Sequence, residues 1–115
     1  MSFHFCSHSW EVRDLEDGTA VKLANRDLDP EGMPGLIDEL FELVRESGRP
    51  NLYLDLAAIG YLTSDHQGHL LTLNTNLREH GGRLTLMNIN SLLYESLQAG
   101  RLTEVLDVRQ PEVFA

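Results

Sequence analysis

The sequence predicts an α/β domain: a mostly parallel sheet of four to five strands with three main helices packed on it. Three observations predict it. Short apolar runs alternate with longer stretches in which apolar residues recur at helical spacing. Two of the apolar runs, "NLYLDLAAIGYL" and "RLTLMNI", are near-continuous, as buried strands are. Glycine stands at or just beyond the end of each periodic stretch, where helices commonly stop. The resulting order is β-β-α-β-α-β-α-β, and strands joined through a helix run parallel in one sheet.

The elements follow in order. Residues 8 to 13 and 19 to 25 read as two short strands. Between them "EDGT" carries Asp17-Gly18, a hairpin signal. "RDLDPEGMP" reads as loop, broken by Pro30, Gly32 and Pro34. Met33, Leu36, Ile37, Leu40, Phe41 and Val44 then mark one face of a first helix, with Asp38, Glu39, Glu42, Arg45 and Glu46 on the other. Gly48 ends it and Pro50 follows. After the strand at residues 52–56, a second helix is expected from about Ser64 to His80, with Leu70, Leu73 and Leu77 on one face. Gly81-Gly82 stops it. The strand at 84–89 should lie beside the strand at 52–56, parallel to it, through a right-handed crossover. A third helix runs from near Ser91 to before Gly100, carrying Leu92, Leu93 and Leu97, and "EVLDV" is a last short strand.

Bulk properties narrow the function. The 115 residues suit one compact domain, 1–115, and are short for two. Hydrophobic residues make up 42%, enough for a core. The net charge of −9, from 18 acids against 9 bases, argues against a nucleic acid or an anionic membrane as partner and suits a protein with a basic face. No apolar run is long enough to span a membrane. The opening "MSFHFCSHSW" lacks the pattern of a signal peptide, and the lone cysteine, Cys6, cannot form an internal disulfide. A reducing cytoplasm is the expected setting. Nothing near Cys6 in sequence supplies the positive charge that activates a thiolate, so it reads as inert. There is no phosphate-binding glycine loop and no serine-nucleophile elbow, so no catalysis and no cofactor are expected.

The polar turn in "YLTSDHQGHLL" holds the candidate site. A helix start needs side chains that satisfy free backbone N–H groups. Ser64 with Gln67 three residues on fits the capping-box spacing, and Asp65 falls in the first turn, where the helix dipole favours an acid. Gly68, one turn inside the helix, costs roughly 1 kcal/mol against alanine, which points to close approach of another backbone or of a partner. His66 and His69, with Asp65, have the spacing of a partial metal-ligand set; no further ligand supports it, and the two histidines read as solvated. Asp55, at the end of the preceding strand, reads either as a structural acid accepting backbone N–H groups or as part of a functional pocket.

These pieces together resemble the STAS domain of bacterial anti-sigma factor antagonists, over Leu52 to Val108. Asp55 matches the acid that ends a strand in that family. Gly68 matches the second glycine of its Asp-Ser-Ser/Thr-Gly-Leu-Gly turn, and Gly81-Gly82 its double glycine. Leu97 and Leu102 match leucines flanking the end of the third helix. Aligned on Gly68, Thr63 stands at the motif's aspartate and Ser64 at its first serine. Asp65 takes the phosphate-accepting Ser/Thr position, His66 the first glycine and Gln67 the leucine. The resemblance implies partner switching, in which an unphosphorylated antagonist binds an anti-sigma factor kinase and is switched off by phosphorylation at the turn. Here the acceptor is replaced by a carboxylate, and Ser64 is left as an alternative acceptor. The implied partner-binding and switch residues are Thr63, Ser64, Asp65, His66 and Gly68, with Asp55 in support. The implied partner is an anti-sigma factor or a related serine kinase. STAS-like proteins also serve as small subunits of lipid-transport complexes, docking on a transporter ATPase. The run "LYLDL" superficially resembles the acceptor strand of a receiver domain, but the sole lysine, Lys22, stands too early in the chain for that chemistry.

Overall fold

In the structure, a computed structural model describing residues 11–110, five strands form one sheet in sequence order. They are β1 (Glu11–Asp14), β2 (Gly18–Lys22), β3 (Asn51–Asp55), β4 (Arg83–Met87) and β5 (Asp107–Val108). β1 pairs antiparallel with β2, and every later pair is parallel. The expected neighbours match: β3 and β4 lie side by side in parallel, with Leu52 opposite Leu84 and Leu54 opposite Leu86. Three α-helices make the crossovers: α1 (Met33–Ser47), α2 (Ser64–Glu79) and α3 (Ser91–Ala99). No helix among the described residues is long and apolar enough to cross a membrane.

One face of the sheet carries the core. Leu52, Leu54, Leu84 and Leu86 are fully buried there, in one cluster with Leu36 and Leu40 of α1, Leu73 and Leu77 of α2, and Leu93 and Leu97 of α3. The opposite face of β3 presents Asn51, Tyr53 and Asp55, all half-buried. β3 is therefore covered on one face rather than wholly buried. On its open face Asp17 accepts hydrogen bonds from the Tyr53 hydroxyl at 2.8 Å and the Asn51 amide at 3.2 Å. The Tyr53 bond, and after it the Asn51 bond, lowers the Asp17 pKa from its ordinary value, while the same contact raises that of Tyr53.

Several boundaries differ from the sequence reading. β1 begins no later than Glu11, the first described residue, and runs to Asp14; positions 8 to 10 of the expected first strand, and Cys6, lie outside the described residues. β2 ends at Lys22 because the chain then turns through Asn25–Leu28, a short 3-10 segment in which Asp27 accepts the Ala24 N–H at 2.8 Å. Gly18 lies in β2 rather than at the centre of a tight hairpin turn. A Cβ there would overlap the Asn51 carbonyl oxygen, so glycine is needed for strand approach. Pro34 is not a loop breaker but sits in the first turn of α1, where its missing N–H costs nothing. Only Asp107–Val108 of "EVLDV" pairs in the sheet, because Leu102–Glu104 closes a 3-10 turn first.

The Gly81-Gly82 stop is a paired device. Gly81 adopts φ +81°, the left-handed conformation that ends α2. Its N–H and that of Gly82 donate to the Arg78 and Leu77 carbonyls at 3.1 and 2.7 Å, which satisfies two free carbonyls of the helix end. Gly82 needs glycine for a different reason: a Cβ there would overlap the Pro50 carbonyl oxygen.

Candidate functional site

The C-terminal ends of β3 and β4 carry the two loops that build the site. From β3 the chain passes through residues 56–62, anchored by Leu56, Ile59 and Leu62, all buried. Between these anchors Ala57, Ala58, Gly60 and Tyr61 face solvent. Asp55 Oδ1 accepts the Ala57 N–H at 3.0 Å and the Asn88 side-chain amide at 2.9 Å. Through these bonds the acid ties the ends of β3 and β4 together. Asn88 has φ +60°, a conformation that asparagine tolerates better than most residues. Two residues on, Asn90 caps α3 by accepting the Leu93 N–H at 2.8 Å, and its amide donates to the Ile59 carbonyl at 3.3 Å. The start of α3 is thereby fixed beside the loop that leads into α2.

The helix α2 begins one residue earlier than the Ser64–Gln67 spacing predicts. Thr63 is the N-cap, with its hydroxyl accepting the His66 N–H at 3.1 Å. The His66 ring closes the reciprocal bond, Nδ1 accepting the Thr63 N–H at 3.0 Å. Its Nε2 lies 2.8 Å from the Leu28 carbonyl oxygen. A carbonyl can only accept and Nδ1 is already accepting, so the ring is held as the neutral Nε2–H tautomer. His66 is thus not a solvated histidine. It is buried, and it pins the first turn of α2 to the 3-10 segment before α1. Both ring nitrogens are engaged with backbone, so neither is left for a metal ion. Among the described residues no group of three His, Cys, Asp or Glu side chains could hold one. Gln67 does not cap Ser64; its amide donates to the Leu62 carbonyl at 3.2 Å.

This inward box leaves the other turn residues outside. Ser64, Asp65 and Gly68 are exposed, and Thr63 is half-buried. Among the described residues nothing lies within 4 Å of where a Gly68 Cβ would stand, so none of their backbone requires that glycine. Two large apolar side chains are exposed on the elements around this turn: Tyr61 in the loop before α2 and Leu92 in the first turn of α3, whose start is tied to that loop. Of the three leucines that α3 carries, Leu93 and Leu97 are buried and Leu92 points away from the core. The box predicts an asymmetry between neighbouring residues. Thr63→Ala should cost about 1 kcal/mol, as the loss of an N-cap does. Ser64→Ala, at an exposed helical position, should stay within about 0.5 kcal/mol. Thermal unfolding of the two variants checks this, and equal losses would refute the assigned cap.

No family model matches the sequence, and no curated protein does. Solved structures match the fold along most of the chain. The Thermotoga maritima protein TM1081, provisionally described as an anti-sigma factor antagonist, superposes with a TM-score of 0.80 at 15% identity. That match covers 96% of this chain and 87% of that one. An anti-sigma-factor antagonist (STAS) domain protein of Planctomyces limnophilus gives 0.71 at 14% identity, over 90% of this chain and 91% of that one. RsbS of Moorella thermoacetica, in a serine-to-glutamate variant, gives 0.72 at 14% identity over 88% of each. The fold is that of a STAS domain. Within that STAS fold, the loops described above carry the turn that the sequence resemblance singles out.

Proposed function

We propose that this STAS domain is a regulatory protein-binding module, acting without catalysis, that docks on an anti-sigma factor or a related serine kinase. The observation that carries this reading is the fold shared with anti-sigma factor antagonists. The geometry of the turn supports it. The Thr63–His66 box and the Asp55–Asn88 bond hold the turn rigidly, and Ser64, Asp65 and Gly68 stand on its outer side. A preformed, exposed turn loses little entropy when a partner binds it. In this reading the protein acts in the cytoplasm, where such a kinase and its antagonist meet.

In this reading Asp65 is a permanent charge where relatives accept a phosphate. It carries one negative charge, against about −1.5 to −2 for phosphoserine, and so mimics part of the switched-off state. A carboxylate has no hydroxyl for a serine kinase to use. Asp65→Ser restores that hydroxyl, and because the His66 ring is turned inward, it does not stand in the way of a kinase cleft. Asp65→Ser should therefore bind an anti-sigma partner more tightly than wild type and be phosphorylated at residue 65 with His66 left in place. Titration calorimetry with the anti-sigma factor or kinase captured from the source cell checks the first, and mass spectrometry after incubation with ATP the second. Equal or weaker binding by Asp65→Ser would reduce the carboxylate to a first-turn helix acid.

A further inference from the structure

We propose that a cleft at the opposite end of the sheet, between the C-terminal ends of α1 and α2, binds a small amphipathic monocarboxylate such as a short aliphatic or aromatic acid. The cleft measures about 260 Å³. That is just below the range of about 300–1,000 Å³ typical of drug-sized ligands, so its occupant is smaller. Phe41, Val44, Pro50 and Leu77 give it an apolar floor, and Arg45, Arg49 and His80 stand around it. The chain as a whole carries a net charge of −9, so two arginines around one apolar hollow run against the surrounding charge. An apolar floor beneath cationic groups matches a ligand with an apolar body and an anionic head.

The present partners of these groups are replaceable. Arg45 pairs with Glu42 at 2.8 Å and Arg49 with Asp14 at 3.3 Å. Both pairs lie in solvent, the Arg45 side chain 58% exposed and Asp14 72%. Exposed pairs contribute little, so a ligand carboxylate can take over either arginine. His80 donates from Nδ1 to the Asn76 carbonyl at 2.9 Å, and Phe41 meets the ring edge-on with centroids 5.0 Å apart. These contacts hold the imidazole in place and keep Nε2 available. The C-termini of α1 and α2 converge here and carry partial negative charge. They disfavour any anion, a multiply charged one such as phosphate most, and the two arginines offset this for a single carboxylate. The cleft lies before β3 and the α2 turn after it, so the inference goes beyond the partner-binding reading.

Amide chemical shifts of the full chain, followed during titration with hexanoate and with phenylacetate, test the proposal. The expected result is a saturable change confined to residues around 41–50 and 77–82, with a Kd on the order of 1–10 mM for so few ligand atoms. Hexanol, which keeps the tail without the charge, and acetate, which keeps the charge without the tail, should each bind at least about fivefold more weakly. Arg45→Gln and Arg49→Gln, both at accessible positions, should together weaken hexanoate by about fivefold or more. Absence of saturation by about 50 mM would overturn the site. So would equal binding of hexanol or acetate, or affinity unchanged in the double arginine variant.

Discussion

Replacing His66 with alanine should destabilise the domain by roughly 2–4 kcal/mol, a large effect for one residue beside an exposed turn. The ring sits in a buried position and joins two backbone groups that are distant in sequence. Its removal leaves the Leu28 carbonyl and the Thr63 N–H without these partners and opens a void beside Leu62 and Leu70, which line the same small apolar hollow. His66→Gln should recover about 1 kcal/mol, since glutamine at this helix position can close the box on Thr63. The Leu28 bond would still be lost. Denaturant unfolding measures both variants. A loss below about 0.5 kcal/mol for His66→Ala would show that the ring is not holding the turn. The same geometry bears on switching: a glycine at 66, as the related motif carries, would here dismantle the support beneath Ser64 and Asp65.

Gly82→Ala should cost as much, about 3 kcal/mol or more. A Cβ on Gly82 meets the Pro50 carbonyl oxygen at overlapping distance, and the Leu77 carbonyl oxygen lies 3.3 Å away. Both are backbone atoms, so relief requires shifting the entry to β3 or the end of α2, the kind of strain that places a substitution in the severe tail. Gly81→Ala should cost only about 1 kcal/mol, the ordinary penalty for a left-handed residue with a side chain. Thermal unfolding of the pair separates the two causes. Equal losses would mean that conformation alone, and not contact with Pro50, fixes the second glycine.

The order of strands and helices was legible because each apolar run was short and each helical stretch carried its own stop. Gly48 and Gly81 both adopt the left-handed conformation expected of them. The start of α2 was harder. Thr63, Ser64 and Asp65 are all good capping residues, and the glutamine three residues after Ser64 favoured the wrong one. A tertiary contact decides it: His66 reaches Leu28, 38 positions earlier. A local signal did exist. His66 stands four residues before Leu70 and continues the stripe of Leu70, Leu73 and Leu77, so its burial follows from helical spacing. The bonds from Asn88 to Asp55 and from Asn90 to Ile59 join separate loops and left no trace in local sequence. Leu92 is exposed because three leucines in a nine-residue helix outnumber the positions that face the core.

The central claim is that a protein partner docks on the outer face of the α2 turn. Gly68→Arg tests it most directly, because the position is exposed, has open space around it and gains helix propensity from the exchange. The variant should be at least as stable as wild type, so lost binding cannot be put down to misfolding. Both proteins would be immobilised, exposed to lysate of the source cell, and the captured proteins quantified by mass spectrometry. The account predicts that wild type captures an anti-sigma factor or a serine kinase, and that Gly68→Arg loses at least about tenfold of it, the loss expected when a charged side chain is driven into a packed contact. Undiminished capture of that protein by Gly68→Arg would contradict the account, and capture of a transporter ATPase in its place would contradict the choice of partner.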